Sequence, residues 1–132
     1  MYIRDANIII IVFDISVKIT FDHVKTWLKE VSDIKKQDAI IAVVGNKLDL
    51  NVKEVSQEDI DNFVNEFGYI LCCMSAKSGE GVDFFFEQIY SKITENFNLQ
   101  GGDQDDLNIT EKFDINKIKQ TTSKGKKKCC KG

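Results

Sequence analysis

An α/β fold with a parallel sheet is predicted by three features of this chain. Apolar, β-branched runs recur at residues 7–13, 39–45 and 69–74. They are continuous rather than alternating, the pattern of strands buried on both faces of a parallel sheet. The segments between and after them carry apolar residues at helical spacing. The resulting order, β-α-β-α-β-α, predicts three parallel strands joined by right-handed crossovers.

Each element has its own signals. The first run, Asn7-Ile8-Ile9-Ile10-Ile11-Val12-Phe13, ends at Asp14. Thr20 is suited to cap a helix that carries Phe21, Val24, Trp27, Leu28, Val31 and Ile34 on one face. The second run, Ala39-Ile40-Ile41-Ala42-Val43-Val44-Gly45, ends at Asn46. Ser56 with Asp59 resembles a capping box opening a helix with Ile60, Phe63, Val64 and Phe67, and Gly68 suits its left-handed stop. The third run, Tyr69-Ile70-Leu71-Cys72-Cys73-Met74, is weaker. A last helix starts at Gly81 or Asp83 and aligns Val82, Phe85, Phe86, Ile89, Ile93 and Phe97. Trp27 and Phe84-Phe85-Phe86 are expected to pack in helix interfaces, and Cys72 and Cys73 to pack within the third strand. His23 is expected to be a solvated surface residue.

The 132 residues allow one domain plus an appendage. Residues 1–98 carry 10 basic and 16 acidic side chains, whereas residues 99–132 carry 8 basic and 5 acidic, so the net charge of −3 conceals a change of sign along the chain. Helical patterning stops at Asn98, and Gly101-Gly102-Asp103-Gln104-Asp105-Asp106 reads as a polar linker. Domain organisation is therefore expected to be a folded unit over 1–98 and a disordered, polybasic tail over 99–132. The lysines from Lys124 to Lys131 form a short basic cluster beside Cys129 and Cys130 rather than a nucleic-acid-binding face. The cysteines stand in two adjacent pairs, which matches neither a disulfide framework nor C-x-x-C zinc spacing, so a reducing compartment is expected. No apolar stretch approaches the ~18 residues of a membrane span, and Arg4 and Asp5 interrupt any signal-peptide layout. Membrane contact is expected through the C-terminal tail.

Candidate chemistry collects at the strand ends. In a doubly wound sheet, ligands sit beyond the carboxyl ends of the strands. Asn46-Lys47-Leu48-Asp49 follows the second run and Ser75-Ala76-Lys77 the third. A carboxylate such as Asp49 accepts two hydrogen bonds from the ring N–H and exocyclic amine of guanine, a donor pair adenine lacks. Asn46 has donor and acceptor ends to tie the loop, and Ser75 is placed to brace Asp49. The stems of Lys47 and Lys77 can lie on the base, and the Ala76 N–H can reach the guanine oxygen. An ordinary post-strand turn is the bland alternative for Asn-Lys-Leu-Asp alone; Ser-Ala-Lys at the next strand end argues against it. The sequence contains no G-x-x-x-x-G-K-[ST] phosphate loop.

At these residues the chain resembles small GTPases of the Ras superfamily, specifically the Rab branch. Gly45-Asn46-Lys47-Leu48-Asp49-Leu50 resembles the family's G-N-K-x-D-L, and Ser75-Ala76-Lys77 its S-A-K. Tyr2-Ile3-Arg4-Asp5-Ala6 is similar to the segment after the second switch, Ile11-Val12-Phe13-Asp14-Ile15-Ser16 to L-V-Y-D-I-T, and Phe21 with Trp27 to the third Rab helix. Cys129-Cys130-Lys131-Gly132 resembles the double-cysteine ending that takes two geranylgeranyl groups, and is a poor C-a-a-X box. The resemblance covers residues 2–97. It implies the C-terminal part of a Ras-like G domain, with GTP or GDP held through its base by Asn46, Lys47, Asp49, Ser75, Ala76 and Lys77. It also implies lipid anchors at Cys129 and Cys130, reinforced by a basic cluster that anionic lipids attract. The implied partners are an escort protein with geranylgeranyl transferase, a GDP-dissociation inhibitor and effectors. In the resemblance, Ile115 and Ile118 are candidate docking residues for the escort protein and the dissociation inhibitor. The implied role is a switched regulator of vesicle-mediated transport, on the cytoplasmic face of intracellular membranes and cycling with the cytosol.

The departures carry physical consequences. The family's P-loop, the first-switch threonine on magnesium and the segment with the catalytic glutamine would all lie upstream of Met1. No catalytic residue and no magnesium ligand is therefore assigned in this sequence, although the family hydrolyses GTP. Cys73 and Met74 stand where Glu-Thr is usual before S-A-K, which is expected to weaken the support of Ser75. With only the last three of six strands, the strand over 7–13 would become an aggregation-prone edge. A base pocket without phosphate contacts is expected to bind guanine nucleotide at millimolar affinity or weaker, about −4 kcal/mol. The rival reading is a non-catalytic, membrane-tethered interaction fragment that neither binds nor hydrolyses GTP.

Overall fold

The computed structural model describes residues 3–35 and 37–99. The element order is β1 (Ile8–Asp14), α1 (Lys18–Ile34), β2 (Ile40–Asn46), α2 (Gln57–Phe67), β3 (Ile70–Cys73) and α3 (Val82–Leu99). The strands form one parallel sheet in the order β1-β2-β3, with Ile8 opposite Ile40, Asp14 opposite Asn46, and Gly45 opposite Cys73. This is the β-α-β-α-β-α order with three parallel strands that the sequence predicts. The linker, Ile115, Ile118, the basic cluster, Cys129 and Cys130 lie outside the described residues.

Helices cover both faces. Residues of α1 and α2 (Phe21, Val24, Leu28, Val31, Ile60 and Phe63) pack with Ile9, Ile11, Phe13, Ile41, Val43 and Leu71 on one face. A chain of tilted rings, Phe13–Phe21–Phe63–Phe67, with centroids 5.0, 5.6 and 4.9 Å apart, ties this layer together. On the other face Phe85 and Ile89 of α3 close over Ile40, Ala42, Val44 and Cys72.

β2 is buried from Ile40 to Gly45, which is why its apolar run is unbroken. β1 is different. Ile9, Ile11 and Phe13 are buried, but Ile8, Ile10 and Val12 are exposed. The burial on both faces read from the unbroken run therefore fails for β1, whereas the expectation of an edge strand there holds for the described sheet. β1 is that edge, and α3 lies over β2 and β3 instead. Trp27 (53% exposed) and Phe86 (56% exposed) also contradict the helix-packing expectation. Each sits beside the buried stripe of its helix, one position before Leu28 and one after Phe85, and faces outward.

Helix ends show where local chemistry rules. α2 carries the expected capping box, Ser56 accepting from the Asp59 N–H while Asp59 accepts from the Ser56 N–H, and stops at Gly68 with φ 67°. α1 departs from expectation. Its N-cap is Val17, which offers no side-chain bond, and Thr20 lies inside the first turn. Thr20 Oγ1 instead accepts from the Asp14 N–H (3.0 Å) and donates to the Val17 carbonyl (2.7 Å). The open N-terminus of α1 is served from afar: the Lys18 N–H donates to Glu54 Oε2 at 2.8 Å. An anion there satisfies an orphan donor and the helix dipole together.

Candidate functional site

The parallel strands end together, at Asp14, Asn46 and Cys73, so the loops that follow share one rim of the sheet. Two backbone bonds lock the second loop to the third strand's end. The Met74 N–H donates to the Gly45 carbonyl (2.8 Å) and the Leu48 N–H to the Met74 carbonyl (3.1 Å). Gly45 has no room for a side chain: a Cβ would lie 2.7 Å from Ile15 and 2.9 Å from the Phe13 ring.

The two motifs are brought into contact. Asn46 Oδ1 accepts from the Lys47 N–H (2.7 Å) and from the Ala76 N–H (3.0 Å). Lys47 adopts φ 69°, the one positive value among the described non-glycine residues, and its carbonyl accepts from the Leu50 N–H at 3.0 Å. Ser75 is fully buried, donates through Oγ to Asp49 Oδ1 (2.5 Å) and accepts from the Ser78 N–H (3.1 Å). Its backbone is held by Glu80 and Gly79, the Ser75 N–H donating to the Glu80 carbonyl at 2.8 Å. Cys73 and Met74 do not deprive Ser75 of partners.

The Ser75 hydroxyl holds the Asp49 carboxyl below the usual carboxylate range, against a smaller opposing effect of burial, with help from Lys77 and Lys47. Asp49 is thus an exposed, ionised acceptor, aimed by a bond to one oxygen. A carboxylate offers about four lone-pair sites, so capacity remains for two more donors. That capacity complements the two donors on the amide edge of guanine. The Ala76 N–H is already engaged by Asn46, so contact with the guanine oxygen requires sharing or exchanging that bond. Lys77 is exposed beside Asp49. No group of His, Cys, Asp and Glu suited to a metal occurs among the described residues.

Sequence reasoning missed one participant. Asp14, at the end of β1 and in register with Asn46, pairs with Lys47: Oδ2 to Nζ is 2.5 Å. The hydrogen bond from Lys47, then that from Ser16, brings its pKa down to about 2. The available signal was its place at the end of an apolar run one strand over from Asn46.

The Ras family sequence profile matches residues 1–95. The chain belongs to the Ras family. Within it the chain is similar to Rab proteins. Ras-related protein Rab-26 of Rattus norvegicus is 34% identical over 95 residues, covering 71% of this chain and 37% of that protein. The putative Ras-related protein Rab-5B of Dictyostelium discoideum is 34% identical over 98 residues, 74% of this chain and 46% of that protein. Ras-related protein Rab-37 of Homo sapiens is 32% identical over 93 residues, 70% of this chain and 42% of that protein. This Ras-family chain thus spans less than half the length of these relatives. The family uses GTP or GDP and magnesium. No helix among the described residues is long and apolar enough to cross a membrane.

Proposed function

We propose that this chain is the base-recognising and membrane-anchoring portion of a Rab-like switch that regulates vesicle-mediated protein transport. Residues 1–98 act as part of the G domain and residues 99–132 as the lipidated tail. Asp49 accepts the ring N–H and exocyclic amine of guanine. Ser75 aims the carboxylate, and Asn46 ties the two loops. Ala76 offers its N–H to the base oxygen, and Lys47 and Lys77 cover the base with their stems. The observation that carries this reading is the bond from buried Ser75 to Asp49, which joins two motifs 26 positions apart into one acceptor site.

Bound nucleotide supplies the switch chemistry, the γ-phosphate whose presence distinguishes the two states; the residues of this chain hold and select the base. Cys129 and Cys130 take the lipid groups, and the basic cluster adds attraction to anionic lipid. Escort protein, transferase, dissociation inhibitor and effectors are the partners this role requires. The chain works on the cytoplasmic face of intracellular membranes and returns to the cytosol between cycles.

Titration of the isotopically labelled chain with guanosine, inosine and adenosine tests the base site. Affinity is expected to fall in that order, with guanosine in the millimolar range. Equal affinities refute base recognition. GTP hydrolysis at the rate of a complete Rab refutes the assignment of this chain to base recognition without catalysis. Immunoblotting with an antibody to residues 99–120 measures the native length. A band near 23 kDa, roughly the family size, supports the switch; a band near 15 kDa favours the non-catalytic, tethered fragment. Mass spectrometry showing both terminal thiols unmodified in cells refutes the lipid anchor.

A further inference from the structure

We propose that Asp14 is a positioning residue for the base pocket, its carboxylate holding the Lys47 ammonium so that the lysine stem stands ready as one wall for the base. This rests on the guanine reading of Asn46–Asp49 and Ser75–Lys77, and adds a residue from a different strand to it.

Three observations carry the inference. First, the parallel register sets Asp14 directly beside Asn46, so the carboxylate lies one strand from the loop that bears Lys47. Second, Asp14 is itself fixed. Its Oδ1 accepts from the Ser16 N–H (2.9 Å) and the Ser16 hydroxyl (2.6 Å), and its own N–H donates to Thr20 Oγ1 (3.0 Å). The side chain is 16% exposed, whereas that of Lys47 is 55% exposed. The carboxylate is the anchored partner, and the lysine is what it holds. Third, Lys47 has φ 69°, a backbone state that is unfavourable for a residue with a Cβ and is held by the loop bonds through Asn46 and Leu50. Backbone and ammonium are therefore both restrained, and the methylene stem between them spans a defined path.

The physical effect is preorganisation. A free lysine has several rotatable bonds, and ordering it at the moment of binding weakens affinity. With Asp14 in place, the stem is ordered before the base arrives. The ammonium is paired at its far end, so the apolar stem is the part presented to a ring. The stem does not read the edge of the base; Asp49 does. Asp14 should therefore raise affinity for all guanine-like bases by one common factor.

The test is a double-mutant cycle on the full chain, with nucleosides titrated by amide chemical shifts. Asp14→Asn is expected to weaken guanosine and inosine each about 5-fold and to leave their ratio unchanged. Lys47→Met keeps an apolar stem but has no ammonium, so Asp14→Asn is expected to add nothing on that background. Asp14→Glu, which keeps the charge, is expected to recover part of the loss. Unchanged guanosine affinity in Asp14→Asn overturns the inference while leaving the base site standing. So does a full 5-fold loss on the Lys47→Met background, or a collapsed guanosine-to-inosine ratio, which would mark general loosening of the pocket. Wild-type chain that does not distinguish guanosine from adenosine overturns the base reading itself, and this inference with it.

Discussion

Gly81 offers a sharp test of how the third loop is held. Both Gly81 and Gly68 have positive φ, 77° and 67°, so alanine meets a left-handed backbone penalty at either site. That penalty is about 1–2 kcal/mol, offset by about 0.4–1 kcal/mol from the loss of glycine freedom in the unfolded chain. The two sites differ in space. A Cβ at Gly68 meets nothing within 4 Å, whereas at Gly81 it lies 2.7 Å from the Cys73 carbonyl oxygen and 3.2 Å from Met74 Cα. The first of these is about 0.7 Å inside ordinary contact distance, and both are backbone atoms that cannot swing aside. Relief requires moving the strand end or the start of α3, an overpacking cost of about 1–3 kcal/mol. Gly68→Ala is thus expected to lose about 1 kcal/mol and Gly81→Ala about 3 kcal/mol. The displaced backbone adjoins Ser75, so Gly81→Ala is also expected to shift the amide resonances of Ser75, Ser78 and Asp49. Urea unfolding of the two variants against wild type measures the difference. Equal losses at the two sites, with Ser75 resonances unmoved, would show that backbone conformation alone governs Gly81.

Three further outcomes follow from the geometry. Glu54→Ala removes the carboxylate that accepts from the Lys18 N–H, and is expected to cost about 1 kcal/mol by urea unfolding; a neutral result would mean water caps α1 equally well. Asp14 and Asp59 have folded pKa values lowered from 3.8 to about 2, chiefly through Lys47 and Lys18. A depressed carboxylate pKa stabilises the fold above the unfolded value, so stability should fall as pH drops from about 4 towards 2. With the side chains 16% and 36% exposed, solvent screening limits the combined loss to roughly 1 kcal/mol; a flat stability profile across that range contradicts the assignment. Val12→Lys places a charge on the exposed stripe of β1 and is expected to raise the concentration at which the chain aggregates, read by light scattering, with little change in stability. Unchanged aggregation would absolve that stripe.

Much of the fold was legible in one dimension because its signals are local. The unbroken run in β2, the Ser56–Asp59 capping box and the Gly68 stop each depend on residues a few positions apart. The juxtaposition of the two motifs was legible because Asn46-Lys47-Leu48-Asp49 and Ser75-Ala76-Lys77 stand at strand ends, and parallel strands place their ends on one rim. Trp27, Phe86 and the outer residues of β1 were misread for a common reason. Hydrophobicity says that a residue can be buried, but the way each helix packs on the sheet decides which apolar side chains are covered: α1 buries the stripe beside Trp27, and α3 lies over β2 and β3 rather than β1.

The sequence by itself determined the order of the elements, their parallel arrangement, and an acceptor group chemically suited to guanine. Only the tertiary structure decided that Glu54 caps α1, that Asn46 engages the Ala76 N–H, and that Asp14 pairs with Lys47. These contacts join residues 36, 30 and 33 positions apart, respectively. Hydrogen bonds and ion pairs at that separation leave no periodic trace in the chain. Their partners are set by strand register and loop path, which exist only once the sheet has formed.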